Sequence, residues 1–202
     1  MNEHVVIRTE GMTGPEAYRL LCGAVSPRPV AWITTRNESG SVNAAPFSSY
    51  NYVSHSPPML AVNIAAHPDG RLKDTARNLL RTRELVVNVA TEANVEALHA
   101  TSALLPPETS EVDQLGLATL PGVAGATPRL AASPVQMECR LEHVVPLGHG
   151  VNTLYIVAVT AFHLDPRVYD GRYIQHDALK PLARLGGPFY AGLGTTLRRP
   201  AP

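Results

Sequence analysis

The chain has 202 residues, of which 45% are hydrophobic and 17% charged, and its 17 basic and 17 acidic residues cancel to a formal net charge of zero. That length suits a single domain over 1–202 with enough apolar material for a core, and the balanced charge provides no basic stripe for nucleic acid. No apolar run approaches the roughly 18 residues a bilayer span needs, the opening MNEHVVIRTEG has acids in place of a signal peptide's apolar centre, and Cys22 and Cys139 form neither metal-type spacing nor a disulfide framework, so a soluble protein of the reducing cytoplasm is expected, with no nucleic acid and no membrane partner.

Eighteen prolines and fifteen glycines predict many turns and few long helices, and with only 5% aromatic residues Val, Ile and Leu must fill the core. Val5-Val6-Ile7 suits either a short strand or an arm. Pro15 to Leu21 suits one or two helical turns, with Thr13 placed to cap them. Ser26 to Ser54 is the stretch around which the chain is organised. Pro29 to Thr35 carries Val, Trp, Ile and two Thr, which favour a half-buried pleated surface. Asn37-Glu38-Ser39-Gly40 is a turn cluster, and Ser41 to Ala45 runs back, so a β-hairpin is expected. Pro46-Phe-Ser-Ser-Tyr-Asn then reads as a polar loop on a rigid strand, the kind of place where binding groups collect.

Met59 to Ala65 is an apolar run of strand length, and His67-Pro-Asp-Gly is a turn in which His67 is a surface residue. Arg71 to Arg81 reads as a helix whose start carries Lys73, Asp74 and Thr75, with Asn78 one turn later. Helix N-termini present unpaired N–H groups and partial positive charge, so this start could hold a phosphate. The competing reading makes Asp74 the N-cap and leaves Lys73 in solvent. Glu84 to Ala90 reads as a second buried strand, and Thr91 caps a short helix over Glu92 to His99.

Thr101 to Ala132 is a long Pro/Gly/Ala-rich loop with one helical turn in Glu111 to Leu117. Loops of that length without structure usually have a task, and this one is expected to cover a pocket mouth or a subunit surface. Ser133 to Leu147 alternates apolar and polar residues as a half-exposed antiparallel strand does. Asn152 to Leu164 is the longest strand candidate. Val168 to Tyr173 reads as a short strand and turn, and Leu182 to Tyr190 as a loop carrying a basic and an aromatic group. His143, His149, His163 and His176 scatter without ligand spacing, so no metal is expected, and Cys22 reads as a buried inert thiol. Six or seven hairpin-connected strands with short helices make a mainly β protein, best closed as a small Greek-key barrel. No G-x-G-x-x-G follows a strand, which leaves a dinucleotide-binding α/β fold without support.

Ser26-Pro-Arg-Pro-Val-Ala-Trp32, Asn43-Ala-Ala-Pro-Phe-Ser48 with Pro57-Pro58, Lys73-Asp-Thr-x-x-Asn78 and Pro181-Leu-Ala-Arg-Leu-Gly-Gly187 with Tyr190 stand in that order. As a set, from about residue 20 to 190, they resemble the flavin reductase-like family, which has an FMN-binding split β-barrel fold and includes flavoredoxin-type proteins and reductase components of two-component monooxygenases. The resemblance implies a homodimer binding FMN near the subunit interface. It places Ser48, Ser49, Tyr50, Asn51 and Ser54 along the flavin ring edge and ribityl chain, and Lys73, Thr75 and Asn78 on the phosphate. Val30, Ala31 and Trp32 would line or support the ring, and Arg184 and Tyr190 would pack nearby.

It also implies NADH or NADPH as electron donor, with a flavin-dependent monooxygenase or another acceptor as partner. Hydride transfer to flavin needs positioning more than protein acids or bases, so a missing triad is expected and no catalytic residue is assigned. The alternative is an electron-transfer module that holds FMN without nicotinamide turnover. A third possibility is a flavin enzyme acting on another small molecule in the same pocket.

Overall fold

A computed structural model of the chain describes residues 4–197 and 199. Residues 4–9 form an exposed arm without regular secondary structure rather than a strand. Helix α1 (Gly14–Ala24) is longer than the expected two turns, and its start is closed by the Glu16 carboxylate, which accepts both the N–H (2.9 Å) and the hydroxyl (2.7 Å) of Thr13. No residue of α1 is buried, and Tyr18 and Leu21 are more than 60% exposed.

The short strand β1 (Arg28–Pro29) leads into the expected hairpin of β2 (Ala31–Arg36) and β3 (Val42–Phe47), whose turn closes through Asn37 and Gly40 at φ +91°. The polar stretch that follows is not a loop. Tyr50–His55 is strand β4, paired antiparallel with β5 (Pro58–Ala65), Tyr50 facing Val62. Its Ser and Asn content conceals a strand because β4 is a sheet edge with an exposed face, where polar side chains cost nothing and discourage edge-to-edge pairing.

Next come α2 (Asp74–Thr82), β6 (Glu84–Val89), a 3-10 turn at Glu92–Asn94, α3 (Val95–Ala100) and α4 (Glu111–Gln114). A two-residue pair, β7 (Thr119–Leu120) and β8 (Arg129–Leu130), lies within the long loop. The long strands β9 (Val135–Leu147) and β10 (Asn152–Leu164) match their expected bounds closely. Val168 to Tyr173 forms only an isolated bridge from Tyr169 to Ile174, followed by the single turn α5 (His176–Leu179). The tail is not a loop: β11 (Ala183–Gly186) and β12 (Phe189–Ala191) form a hairpin that joins β1 in a three-stranded sheet.

Seven strands make the main antiparallel sheet in the order β3-β2-β6-β9-β10-β5-β4. Because β5 pairs with the late strand β10, the early hairpins lie at both ends of the sheet, and β3 also contacts β5 as the sheet curls. Inside, Ile33, Val62, Leu79, Leu85, Val87, Leu141, Tyr155 and Val157 pack at 0–1% exposure, α2 supplying Leu79. A second core unites Val30, Trp32, Ala44, Leu98, Val112, Leu130 and Leu182, so the long loop and the tail are anchored against the back of the first hairpin. Cys139 is buried, whereas Cys22 is half-buried. No helix among the described residues is long and apolar enough to cross a membrane.

Candidate functional site

A cavity of about 620 Å³ opens beside the barrel, between β3, the start of α2 and the first part of the long loop. Its volume falls in the roughly 300–1,000 Å³ range of small-molecule sites. Strand β3 contributes Asn43, Ala45, Pro46 and Phe47, and α2 contributes Asp74, Thr75 and Arg77. The turn before α2 adds His67, Arg71, Leu72 and Lys73. The loop adds Thr101 to Leu105, Pro107 and the buried Glu111.

The N-cap position of α2 is held by Lys73, which makes no side-chain cap bond, and not by Asp74 as expected. Asp74 is the first helical residue and bonds Arg77 at 2.6 Å, one turn along, where a carboxylate also complements the positive end of the helix. Arg77 is further tied to Glu108 of the long loop, and Arg71 to Asp69. Lys73 has no ion pair among the described residues. Thr75 is 2% exposed. Its Oγ1 accepts the Asn43 amide at 3.0 Å, which leaves its hydroxyl hydrogen as a donor at the helix start.

Asn43, Thr75 and Asn78 belong to one buried network. Asn43 and Asn78 both donate to Thr35 Oγ1 at 3.2 Å, and Asn78 donates to Asn37 Oδ1 at 2.7 Å. The network sets the helix start against the first hairpin. It also turns the Asn78 side chain, 0% exposed, toward the hairpin and away from the cavity lining.

The other expected residues fall in three places. Val30 and Trp32 sit in the second core and Ala31 in the first, all buried, with the Trp32 indole N–H on Thr101 Oγ1 at 3.0 Å. Ser48 and Ser49 connect β3 to β4. Tyr50 packs on the barrel core, and burial pushes its phenol up. Asn51 accepts the Tyr52 N–H and Ser54 the Ser56 N–H, both locally. None of these lines the cavity, although Phe47, one residue before Ser48, does. Arg184 lies over the Tyr190 ring at 4.5 Å and donates to its hydroxyl and to the Gly187 carbonyl, while His99 Nδ1 is 3.3 Å from the same hydroxyl. Arg184, Tyr190 and His99 do not line the cavity, although Thr101 and Ser102, which follow His99 closely, do.

Several lining residues escape a reading of the sequence alone. Asn43 carried one signal, a polar residue on a strand between apolar neighbours. Glu111 carried none, because an acid after Ser110 looks like an ordinary helix start. Burial pushes its carboxyl up, and Asp74 adds to this, while the Ala44 N–H partly offsets it. The contribution of Thr101 to Leu105 follows only from the tertiary path of the loop.

A curled antiparallel barrel with a helix N-terminus and a cavity at its flank defines the split β-barrel class. The chain belongs to the flavin reductase like domain family, whose model matches residues 23–182. It is 41% identical over 204 residues to YwrF of Bacillus subtilis, covering 97% of this chain and 99% of that protein. Among solved structures it resembles nitrilotriacetate monooxygenase component B from Bacillus cereus (TM-score 0.94, 34% identity, 98% of this chain and 100% of that one). It also resembles the 2-nitrobenzoate 2-nitroreductase NbaA of Pseudomonas fluorescens (TM-score 0.88, 26% identity, 98% and 96%).

Proposed function

We propose that the protein is an FMN-dependent flavin reductase that draws electrons from NADH or NADPH and serves a partner oxygenase or another acceptor. The observation that carries this is the meeting of Lys73, the Thr75 hydroxyl and the start of α2 in one wall of the cavity. A phosphate there receives a full charge, a hydroxyl donor and the free N–H groups of a nine-residue helix. Asn43 holds Thr75 in place, and Ala45, Pro46 and Phe47 present an apolar wall next to it. That set fits a molecule with a phosphate at one end and a flat apolar ring at the other.

Bound FMN would supply the hydride chemistry, taking a hydride from the nicotinamide. The chain's own work is binding, and loop residues Ala103 to Leu105 add apolar groups to the cavity lining. The likeness to a monooxygenase component supports an oxygenase partner. The unburied helix α1, with Tyr18, Leu20 and Leu21 exposed, and the exposed Tyr52 and Val53 on β4 support a homodimer.

The test is an anaerobic titration of the FMN-loaded protein with NADH and, separately, NADPH. Bleaching of the visible flavin band by one nucleotide establishes the reductase and its donor. Retained flavin that neither bleaches makes the protein an electron-transfer module or a flavin enzyme for another substrate. The variant Lys73→Ala, which leaves the buried Asn43–Thr75 bond intact, checks the phosphate placement. One charge-assisted bond of about 1.5–3 kcal/mol predicts at least tenfold weaker FMN binding with riboflavin little changed. Equal losses for both flavins would refute it.

A further inference from the structure

The inference concerns Glu111 and rests on the reading of the cavity as a flavin site. Ser110 and Glu111 dock the start of α4 on the outer edge of β3. The Ser110 hydroxyl donates to the Val42 carbonyl at 2.7 Å, and Glu111 Oε2 accepts the Ala44 N–H at 3.0 Å. This explains one carboxylate oxygen. Glu111 also belongs to the cavity lining, although it is only 7% exposed. It has no ion pair among the described residues. Its own backbone N–H also bears on the carboxylate, and the two N–H groups still leave acceptor capacity for a further donor in place of the water it has lost.

A phosphate cannot supply one, since it is itself an anion. Strand β3 fixes the relation of the two ends. Asn43, adjoining Ala44, bonds Thr75, so Glu111 lies one residue along the strand from the group that marks the phosphate end. In FMN the atoms joined to the phosphate are those of the ribityl chain, and its hydroxyls are donors.

We propose that Glu111 receives a ribityl hydroxyl of the bound flavin, so that the cavity recognises the polyol as well as the phosphate. Glu111 is then a specificity residue for flavins that keep their sugar-alcohol chain. It discriminates against the bare ring system, while the Ala44 N–H bond holds its carboxylate on β3. Burial raises the Glu111 carboxyl, and a hydroxyl donor would offset that.

The experiment compares wild type with Glu111→Gln, which keeps the side-chain shape and an oxygen for the Ala44 N–H but removes the charge. Both proteins, stripped of flavin, are titrated with FMN, riboflavin and lumiflavin, which lacks the polyol, by following quenching of flavin fluorescence. The unliganded proteins are also melted. The expected result is that FMN and riboflavin bind about tenfold more weakly to the variant while lumiflavin binding is unchanged, as loss of a charge-assisted hydrogen bond implies. Unchanged FMN and riboflavin affinity overturns the proposal. So does a uniform loss for all three flavins, or a collapse of the melting temperature with loss of all binding, because each makes Glu111 only a clamp on β3. Lys73→Ala separates this from the underlying reading. If that variant loses its preference for FMN over riboflavin while Glu111→Gln changes nothing, only the polyol assignment falls. If it keeps the preference, the phosphate placement falls.

Discussion

Glu138 offers the sharpest test of how the long loop is held. It lies on β9 at 2% exposure, and its two oxygens gather three backbone donors from the loop, Val123 N–H at 2.7 Å and Ala124 and Gly125 N–H at 2.9 Å. His163 Nε2 is 2.6 Å from the same carboxylate. Glu84, on the neighbouring strand, takes the next two N–H groups, those of Ala126 and Thr127. Glu138→Ala deletes the acceptor for three loop donors. At about 1–3 kcal/mol for each stranded donor, and allowing some to reach water as the loop loosens, the loss is on the order of 3–5 kcal/mol. For a chain of this length that corresponds to a melting temperature lower by about 6–20 °C.

The pH dependence carries the same information. Burial alone would raise the Glu138 carboxyl, but the backbone N–H groups and His163 outweigh it and hold the carboxyl below its ordinary value of 4.5. A group lowered on folding contributes stability above its unfolded pKa and loses it as pH falls through the folded one. Wild type should therefore lose this contribution below about pH 4.5, and Glu138→Gln should flatten that part of the profile. Calorimetry across the acid range reads both effects. A Glu138→Ala protein that melts within about 2 °C of wild type would refute the reasoning, for the loop would then hold without its carboxylate.

Three further outcomes follow from the packing. Trp32→Phe removes the N–H that fixes Thr101, and with it the start of the cavity wall; denaturant unfolding should show a loss on the order of 2 kcal/mol, and an unchanged midpoint would count against this anchor. Gly122→Ala places a Cβ 2.6 Å from the Gly125 carbonyl and 2.8 Å from Glu138 Oε2, so it should cost about 1–3 kcal/mol and quicken proteolysis within residues 121–127. Gly23→Ala in α1, where a Cβ meets nothing, should be neutral or stabilising by up to about 1 kcal/mol in the same melting assay.

The parts of the fold readable from residues are those ruled by local pattern. The hairpin Ala31 to Phe47 announces itself through β-branched residues around Asn37 to Gly40, and β9 and β10 through alternation and length. What stayed hidden depends on partners far along the chain. Strand β4 is polar because it is an edge, and β11 takes its place as a strand between the distant β1 and its hairpin partner β12. The site divides in the same way. Lys73 and Thr75 were marked by the chemistry of a helix start, whereas Glu111 and Thr101 to Leu105 reach the cavity through a loop whose course is set by the Trp32 and Glu138 anchors.

Asn78 shows where a motif and a position part company. The family resemblance places it on the phosphate beside Thr75, three residues earlier on the same face of α2. That face, however, looks into the hairpin. Thr75 sits at the first turn and reaches the cavity, while Asn78, one turn deeper, is enclosed and spends its amide on Thr35 and Asn37. A ligand and a support respond differently to removal. Asn78→Ala leaves Asn37 Oδ1 without this donor and empties a fully buried site, so a loss on the order of 2–4 kcal/mol is expected. As a support, Asn78 should affect FMN and riboflavin equally, because the whole helix start shifts. As a direct phosphate ligand it would weaken FMN alone, as Lys73→Ala should, with little change in melting temperature. Thermal melting together with the ratio of the two flavin affinities decides between them. A lowered ratio at unchanged stability would mean that α2 opens toward its ligand further than the buried amide network implies.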